Sequence, residues 1–479
     1  MTATDPDPPA PTRARLAGET APDGSAPAPL RTAGTVAAVT VGLVVLLALA
    51  LAVGGGGPGA LAPGLDQAGP LVDRGLPIAR LAARVAALGT VGALLFAAFL
   101  RPSGRSLPAA SRRAVRAASR WALAWAGTTA VGAALTLSRL VGVPPTALTS
   151  SSVQVFVTDL ASGRAAVLAT AVAAFLAVAA GRCRSSVAAA GLLAVALAGL
   201  VVPAVLTGHS ATADHHLLAV VNLSVHVVSA TVWVGGLLAL LLYGRSREDL
   251  APAAARVSVL ALGCFLATGA SGLLAAWLVL GGGTAGPAGV VGTGYGWLLI
   301  GKTAGLAALG AFGWHHRRRT LPALSAGRHG AFGRFAAGET VVMLATIAVA
   351  VALSASPPPV AAPPAAAQNG AQPADPGLGA AVPSGPGIED MAGHDHGDLS
   401  VTVLVDEFRF HVSAPVDAGA RVTVHNGTST DVTITASDGS FDVVVPGGSL
   451  MTFPAPDEPG AHPFASRHSP SFTGVLVVR

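Results

Sequence analysis

The sequence predicts an α-helical polytopic membrane bundle of about nine transmembrane helices, followed by a small all-β sandwich. Of the 479 residues, 52% are hydrophobic and only 11% are charged, which lies outside the range of soluble globular proteins. Nine apolar runs are each long enough to cross a hydrocarbon layer of about 30 Å. After the last run, short segments of alternating apolar and polar residues predict β-strands.

The nine predicted spans form one membrane domain over residues 33–355. About thirty polar, Pro-rich residues precede the first span, without the short basic region and cleavage site of a signal peptide. Residues 1–32 are therefore expected to be a disordered cytoplasmic segment. The spans are predicted at 33–54, 77–100, 119–138, 164–181, 186–207, 216–243, 256–281, 295–314 and 336–355.

Basic loops predict the orientation of the bundle, because short loops rich in Arg and Lys stay in the cytoplasm. Every second loop is basic, as in 101–120 and 317–334. This pattern places the N-terminus inside and the C-terminal region outside. The same loops account for the formal net charge of +5 and the pI of about 10.1, so the charge does not indicate a nucleic-acid partner.

The region after the last span divides into a linker and a sandwich. Residues 356–398 are rich in Pro, Ala and Gly and lack hydrophobic periodicity, which is typical of a linker. Residues 399–479 alternate apolar and polar positions between Gly, Pro, Asn and Asp turns, which favours a small extracytoplasmic β-sandwich.

The sixth span carries a polar stripe. Its members share one helical face and are His215, Asn222, His226, Ser229 and Trp233. Polar groups are costly against lipid, so the stripe is expected to face the bundle interior, with His226 as a buried ligand. The alternative is that His226 is a structural histidine bonded to a neighbouring helix.

Histidines at the predicted outer mouth of this span favour the metal hypothesis. His209, His215 and His216 lie there together with Asp214. Of the chain's 13 histidines, the predicted topology places nine on the outer face, namely His209, His215, His216, His394, His396, His411, His425, His462 and His468.

Sulfur ligands are scarce, so a metal path would depend on imidazole and carboxylate. The two cysteines, Cys183 and Cys264, lie on a predicted inner loop and in the seventh span, and no disulfide is expected. The four methionines are too few for a thioether relay.

Charged residues also lie at two predicted membrane boundaries. Lys302, near the outer end of the eighth span, is expected either to snorkel to the interface or to support the site. Glu339, near the inner end of the ninth span, is interpreted as an interfacial charge. His315 and His316 begin a basic loop and are expected to be solvated.

A second group of metal ligands is predicted in the linker motif MAGHDHGD. Met391, His394 and His396, with neighbouring carboxylates, would bind Cu(II), Ni(II) or Zn(II) weakly, unless the motif is simply a solvated linker. In the sandwich, a surface group of His425, His462 and His468 is conceivable, although each histidine alone is more typical of packing or surface.

The membrane domain resembles the copper resistance protein D family of bacterial inner-membrane proteins. The resemblance spans about 76–358 and rests on GHSA and WVGGLLAL, on KTAGLAALGAF before HHRRRTLP, and on RFAAGETVVMLATIAVAVALSASPPP. It implies copper movement or copper tolerance at a bacterial-type plasma membrane. The family's histidine ligands would correspond to His209, His215, His216 and His226.

The C-terminal domain resembles the cupredoxins through EFRF, VTVHNGTSTDVTITA, FDVVVPGGSLMTF and PGAHPFASRHSPSFTGVLVV. The family's copper ligands are missing. The positions of its first His, Cys, second His and Met hold Val432, Ser466, Ser469 and Phe472; a one-residue shift offers His468 and Ala465 instead. Type 1 copper requires a thiolate, so no blue-copper site is expected.

No P-loop, HExxH or GxSxG motif indicates catalysis, and the protein is not expected to be an enzyme. The leading hypothesis is a copper transport or resistance protein, in which outer histidines collect copper and the sixth span passes it. Copper, the lipid bilayer and an extracytoplasmic copper-binding protein are the candidate partners. The alternatives are a haem-binding electron-transfer protein and a membrane-anchored docking module. Supporting roles are assigned to Asp214, Asn222, Trp233, Lys302 and His468.

Overall fold

A computed structural model of the protein describes twelve stretches of the chain: 29–55, 68–100, 106–207, 216–244, 247–279, 291–326, 330–356, 402–406, 409–412, 415–428, 430–467 and 472–479. The chain divides into two units, Met1–Gly42 and Leu43–Arg479. In the first unit, the described part is the beginning of helix α1. The second unit holds the rest of α1, the other helices and the sandwich.

Helices lie over all nine predicted spans. The described α-helices are α1 (Pro29–Gly54), α2 (Pro70–Leu95), α3 (Ala109–Val141), α4 (Ser150–Thr158), α5 (Ala161–Arg182), α6 (Ser186–Thr207), α7 (His216–Tyr243), α8 (Arg247–Val279), α9 (Gly294–His315), α10 (Leu321–Ser325) and α11 (Gly330–Leu353). Two π-helical turns follow α2 and α9, at Phe96–Leu100 and His316–Thr320.

Seven of the described helices are long and apolar enough to cross a membrane, which confirms the predicted polytopic bundle. Helix α3 is not among the seven. Its N-terminal half carries four of its five arginines, and its C-terminal half contains Trp, Gly, Thr and Ser among the apolar residues. In α6 the part searched for a span is Ser186–Val202, because the side chains after it are not among those described. Both helices nevertheless lie where the sequence predicted spans.

Local sequence signals account for several helix ends. Helix α3 ends at Gly142, whose φ of 75° is accessible to glycine at little energetic cost, and the Gly142 N–H donates to the carbonyl of Ser138 at 3.0 Å. At the start of α4, the Thr149 hydroxyl accepts the Ser152 N–H at 3.2 Å. Thr293 caps α9 in the same way, through the Gly296 N–H at 3.1 Å.

Helix α2 lies at the centre of the bundle, packed against α3 and α7. Two glycines let α2 and α7 approach closely. A Cβ on Gly92 would overlap the carbonyl group of Gly235, and one on Gly235 would lie 2.9 Å from the carbonyl oxygen of Leu88. Such small-residue crossings let helix backbones pack tightly in lipid.

The C-terminal domain is a sandwich of two four-stranded sheets, as predicted. Strand order is β2–β1–β3–β6 in one sheet and β5–β4–β7–β8 in the other, with β1 and β3 parallel and the other pairs antiparallel. The strands are β1 (Val403–Val405), β2 (Phe410–Val412), β3 (Arg421–Asn426), β4 (Val432–Ala436), β5 (Asp442–Val445), β6 (Ser449–Pro454), β7 (Gly460–Ala465) and β8 (Thr473–Val478).

The sandwich is seated on the end of the bundle formed by α3 and α4. Leu450 of β6 packs in one buried cluster with Leu137, Val141 and Phe156. Beside this cluster the Thr452 hydroxyl donates to Asp159 at 3.1 Å. Asp159 also forms an ion pair of 3.4 Å with Arg421. The apolar cluster buries one outer face of the sheet, so the two domains form a joint interface.

His425 lies in this interface. It pairs across the sheet with Leu450, is 6% exposed, and a ring N–H donates to the backbone carbonyl of Val141. Burial lowers the pKa of His425 below its ordinary value of 6.5, and the bond to Val141 offsets this only in part. The docked state therefore binds this proton less readily than the undocked state.

The Gly92 crossing gives a first prediction. Gly92→Ala should destabilise the protein by about 1–3 kcal/mol, because the added methyl forces α2 and α7 apart. Gly127→Ala on α3, where a Cβ meets nothing within 4 Å, should be neutral or stabilising by about 0.5–1 kcal/mol. Thermal unfolding in detergent measures both. Equal stability of the two variants would disprove the close crossing.

His425 gives a second prediction. Because its pKa is lowered in the docked state, docking should be fully stable above pH 6.5 and should weaken as the pH falls below that value. Hydrogen exchange at the C-terminal end of α3, corrected for the intrinsic pH effect, should therefore accelerate at pH 5. His425→Gln should lose this acceleration. His411→Gln is the control, since His411 contacts Asp406 instead; exchange that stays unchanged at pH 5 in the wild type would contradict the prediction.

Candidate metal site on helix α7

Many of the predicted metal ligands lie outside the described residues. These are His209, Asp214, His215, Met391, His394, His396 and His468. His216 begins α7, but its side chain is not among those described. The structure therefore places four of the predicted site residues, namely Asn222, His226, Trp233 and Lys302.

The polar stripe of α7 packs against α8, so the prediction that it faces the bundle interior is confirmed for Asn222, Ser229 and Trp233. The Asn222 amide donates to the carbonyl of Ser271 at 2.9 Å. The hydroxyls of Ser229 and Thr268 are hydrogen-bonded at 2.9 Å. These polar contacts form a hydrogen-bonded seam between the two helices, defined here as Asn222, His226 and Ser229 with Thr268 and Ser271.

An aromatic contact continues the seam by one further turn. The rings of Trp233 and Phe265 meet edge to face, with centroids 5.6 Å apart and an interplanar angle of 84°. Edge-to-face packing is the favoured geometry of an aromatic pair. Trp233 therefore fixes the relative positions of α7 and α8 by packing.

His226 occupies the middle of the seam and is half-buried. Its Nδ1 lies 3.0 Å from the Ser271 hydroxyl oxygen. The Ser271 hydroxyl donates its own proton to the carbonyl of Ala267 at 2.6 Å. With that proton engaged, Ser271 is free to accept from a protonated Nδ1 of His226, and this tautomer carries its lone pair on Nε2.

This arrangement unites the two interpretations of His226. The structural interpretation expected a hydrogen bond from His226 to a neighbouring helix, and the contact with Ser271 on α8 is such a bond. Yet histidines that bind metals also donate their other ring N–H to a protein acceptor, which fixes the tautomer and ring orientation. The bond to Ser271 is thus compatible with Nε2 acting as a ligand.

Two positive charges lie near His226. Lys302 on α9 and Arg84 on α2 are close enough for their charges to act on the imidazole, and Arg84 also acts on Lys302. Among the described residues, neither cation makes a hydrogen bond or an ion pair with an acidic group. This field opposes a bare cation at His226, because charges interact strongly in a medium of low dielectric constant.

Arg84 was not predicted as a functional residue, although its position in the sequence indicated one. It interrupts the apolar run of the second predicted span, and an arginine inside a span is by itself an indication of function. Lys302 is half-buried, and its charge is close enough to act on His226; both snorkelling and a supporting role remain predictions for it.

At the other end of the bundle, the expectation that His316 is solvated is wrong. His316 is 8% exposed, Glu339 is 4% exposed, and Nε2 of His316 lies 2.9 Å from Oε2 of Glu339. The π-helical turn at His316–Thr320 fits an extra residue into the helix, and the imidazole packs against Phe332 and Phe335. Glu339 is consequently a buried group rather than an interfacial charge.

The described sandwich histidines do not form the conceivable surface group. His425 lies in β3 and contacts Val141, whereas His462 lies in β7 of the other sheet. His462 pairs with Asp438 at 2.6 Å and with the carbonyl of Glu458 at 3.0 Å. Hydrogen bonds from Ser440 and His462 lower the pKa of Asp438 to about 2.

The cupredoxin ligand positions that the structure describes serve packing. Val432 and Phe472 belong to the sandwich core, where the Phe472 ring lies 5.6 Å from that of Phe410. Ser466 is buried, and its N–H donates to the carbonyl of Phe472 at 2.9 Å. Within the described stretches, no group of three or more His, Cys, Asp or Glu is arranged to hold a metal ion.

The fold and these intramembrane polar groups define a multi-pass membrane protein with an appended β-sandwich. Two family models match the membrane domain. Copper resistance protein D matches 251–353, and the copper resistance protein D-like N-terminal domain matches 71–217. Together the two matches cover just over half of the chain. The chain belongs to the copper resistance protein D family. No curated protein and no solved structure matches.

The positions of these matches confirm the family resemblance drawn from the sequence. Lys302, His316 and Glu339 lie within the match at 251–353, and His209, His215 and His216, which are predicted to lie on the outer face, fall within the match at 71–217. His226 lies between the two matches. Membership therefore identifies a copper resistance or transport protein of the membrane without assigning a role to His226.

The charge near His226 gives a third prediction. Lys302→Met should raise the affinity of the purified protein for free copper ions roughly tenfold, because it removes a like charge close to His226, the predicted ligand. Lys302→Arg keeps the charge and should leave the affinity unchanged. Competition with a coloured copper chelator measures both. If Lys302→Met weakened binding instead, Lys302 would be holding an anionic ligand of copper.

Proposed function

We propose that this protein moves copper across the membrane, with histidines at the outer mouth collecting the ion and α7 passing it through His226. The observation that carries this proposal is the orientation of His226. Its Nδ1 is engaged by Ser271, so Nε2 holds the lone pair that a metal requires. Membership of the copper resistance protein D family supports copper as the metal.

A single imidazole does not hold a metal ion, so the site needs further ligands. Residues 208–215 precede α7 directly and supply His209, Asp214 and His215. Asp214 would also contribute a negative charge, since a carboxylate bound to the copper ion would offset the positive charges of Arg84 and Lys302. We infer that copper reaches His226 with an anionic ligand bound.

The sandwich and the linker belong to the same proposal. In the predicted orientation, α3 and α4 place the sandwich on the outer face, and the linker brings Met391, His394 and His396 before it. These residues would capture copper weakly and raise its concentration at the outer mouth. An extracytoplasmic copper-binding protein that docks on the sandwich would do the same. Neither role requires catalysis.

The charges around His226 favour haem binding as a second candidate. A haem would take His226 as an axial ligand, and its propionates would neutralise Arg84 and Lys302. The visible spectrum of the purified protein separates the candidates. A strong Soret band that is lost in His226→Ala would establish haem binding. A featureless spectrum of the protein purified from haem-supplemented cells would exclude it.

Cellular copper gives the fourth prediction. Cells that express the protein should differ in copper content from cells that lack it, and His226→Ala should remove at least 80% of the difference, an order-of-magnitude expectation for the loss of an essential ligand. Elemental analysis at matched protein levels measures it. The sign of the difference distinguishes import from protection.

The control for this experiment lies on the same helix. Among the described residues, Ser224 bonds within α7, from its hydroxyl to the carbonyl of Val220 at 2.7 Å, so Ser224→Ala should behave as the wild type. Ser271→Ala should produce an intermediate loss, because His226 keeps its ring but loses its orienting acceptor. Identical copper contents in all strains would refute copper movement.

A further inference from the structure

The buried pair of His316 and Glu339 has no part in the proposed copper path and is incompletely satisfied. The contact of 2.9 Å has the distance of an ion pair but lacks the alignment of a hydrogen bond. Among the described residues, neither ring nitrogen of His316 nor Oε2 of Glu339 has a hydrogen-bond partner. Leaving such groups buried without partners is costly, at about 1–3 kcal/mol each, so their presence indicates a ligand.

A metal ion does not fit this position. Copper and zinc usually take three or four ligands in proteins, whereas two donor groups of the described residues meet here. The remaining wall is aromatic, with the rings of Phe332 and Phe335 at 5.5 and 4.8 Å from the imidazole. Arginines 317–319 on the same turn would also repel a metal cation. A proton needs only one donor and one acceptor.

The charged groups around the pair are directed elsewhere. Arg317 donates to the carbonyl of Ser258 on α8, Arg318 lies 5.3 Å from the Trp314 ring, and Arg256 on α8 donates to the carbonyl of Leu100. The described titratable or charged groups on this turn and on the elements packed against it near this end are His315, Arg317, Arg318, Arg319, Arg334, Arg256, Cys264 and Tyr243. None of these groups is acidic. Glu248 and Asp249 at the start of α8 lie at the same end of the bundle, and their side chains are not among those described.

We propose that His316 and Glu339 together bind one exchangeable proton, and that this proton moves in exchange for copper. With the proton bound, imidazole and carboxyl carry no net charge as a pair. When the proton leaves, the carboxylate and the neutral imidazole carry a charge of −1. Proton release therefore creates negative charge at the predicted cytoplasmic end at the moment a cation has to pass. The exchange half of this proposal rests on the proposed copper transport.

Infrared difference spectroscopy tests the proton site without copper. Spectra of the purified full-length protein at two pH values should show carboxyl and imidazole bands that change together. The part of both changes that arises from the pair should be missing from Glu339→Gln and from His316→Gln, whereas the chain's other carboxyl and imidazole groups contribute bands in every variant. Thr340→Val is the matched control, because Thr340 is the buried neighbour of Glu339 and, among the described residues, bonds to the carbonyl of Ala336 on its own helix. Difference spectra that match the wild type in both glutamine variants would overturn the site.

Reconstituted liposomes test the exchange. With a copper gradient imposed across the full-length protein, an entrapped pH dye should report protons moving against copper, and elemental analysis should report the copper. Glu339→Gln should lower the rate of proton movement at least tenfold relative to the wild type. His316→Gln, on a different helix, should lower it to the same extent. Copper movement that ignores an imposed pH gradient in the wild type would overturn the exchange.

The two failures can be told apart. If the wild type moves no copper under any pH gradient, the proposed function fails and the exchange fails with it, while the infrared bands still decide whether the pair holds a proton. If copper moves and the bands are absent, only the proton site fails.

Discussion

A polar side chain within a bilayer finds no water, and the protein itself must satisfy it. The seam between α7 and α8 meets this requirement by hydrogen bonds between neighbouring helices, with Asn222, His226 and Ser229 facing Ser271 and Thr268. The same bonds fix the rotation of α7 about its axis. They therefore determine which direction the His226 ring takes and which of its nitrogens carries the lone pair.

The seam brings His226 towards two cations rather than towards an anion. Arg84 comes from α2, which lies at the centre of the bundle, and Lys302 comes from α9. A site of this composition binds a neutral or negatively charged object more readily than a bare metal ion. Copper that carries a carboxylate ligand satisfies this condition, and so does a haem with its propionates. The charges thus restrict both functional candidates in the same way.

Periodicity predicted those features that depend on one helix alone. The spacing of Asn222, Ser229 and Trp233 identified the buried face of α7, because residues on one face must share one environment. Their partners Ser271 and Thr268 could not be predicted, since the seventh span offers many hydroxyls and only packing selects among them. His316 was misjudged because the arginines after it are typical of a solvated loop. A π-helical turn, which sequence periodicity does not reveal, directs it towards Glu339 instead.

The two polar centres lie too far apart to influence each other through charge alone. Lys302 and His316 are fourteen residues apart on one continuous helical segment, or about 21 Å along its axis, and unit charges at that distance interact by less than about 1 kcal/mol at an effective dielectric constant of 20. Coupling between copper movement and proton release would therefore require a movement of the helices that connect the two centres. Helices α9 and α11 are suited to this, because a Cβ on Gly305 would lie 2.7 Å from the Thr346 hydroxyl. So close a contact would couple a displacement of α9 to α11, the helices that carry His316 at the end of one and Glu339 in the other.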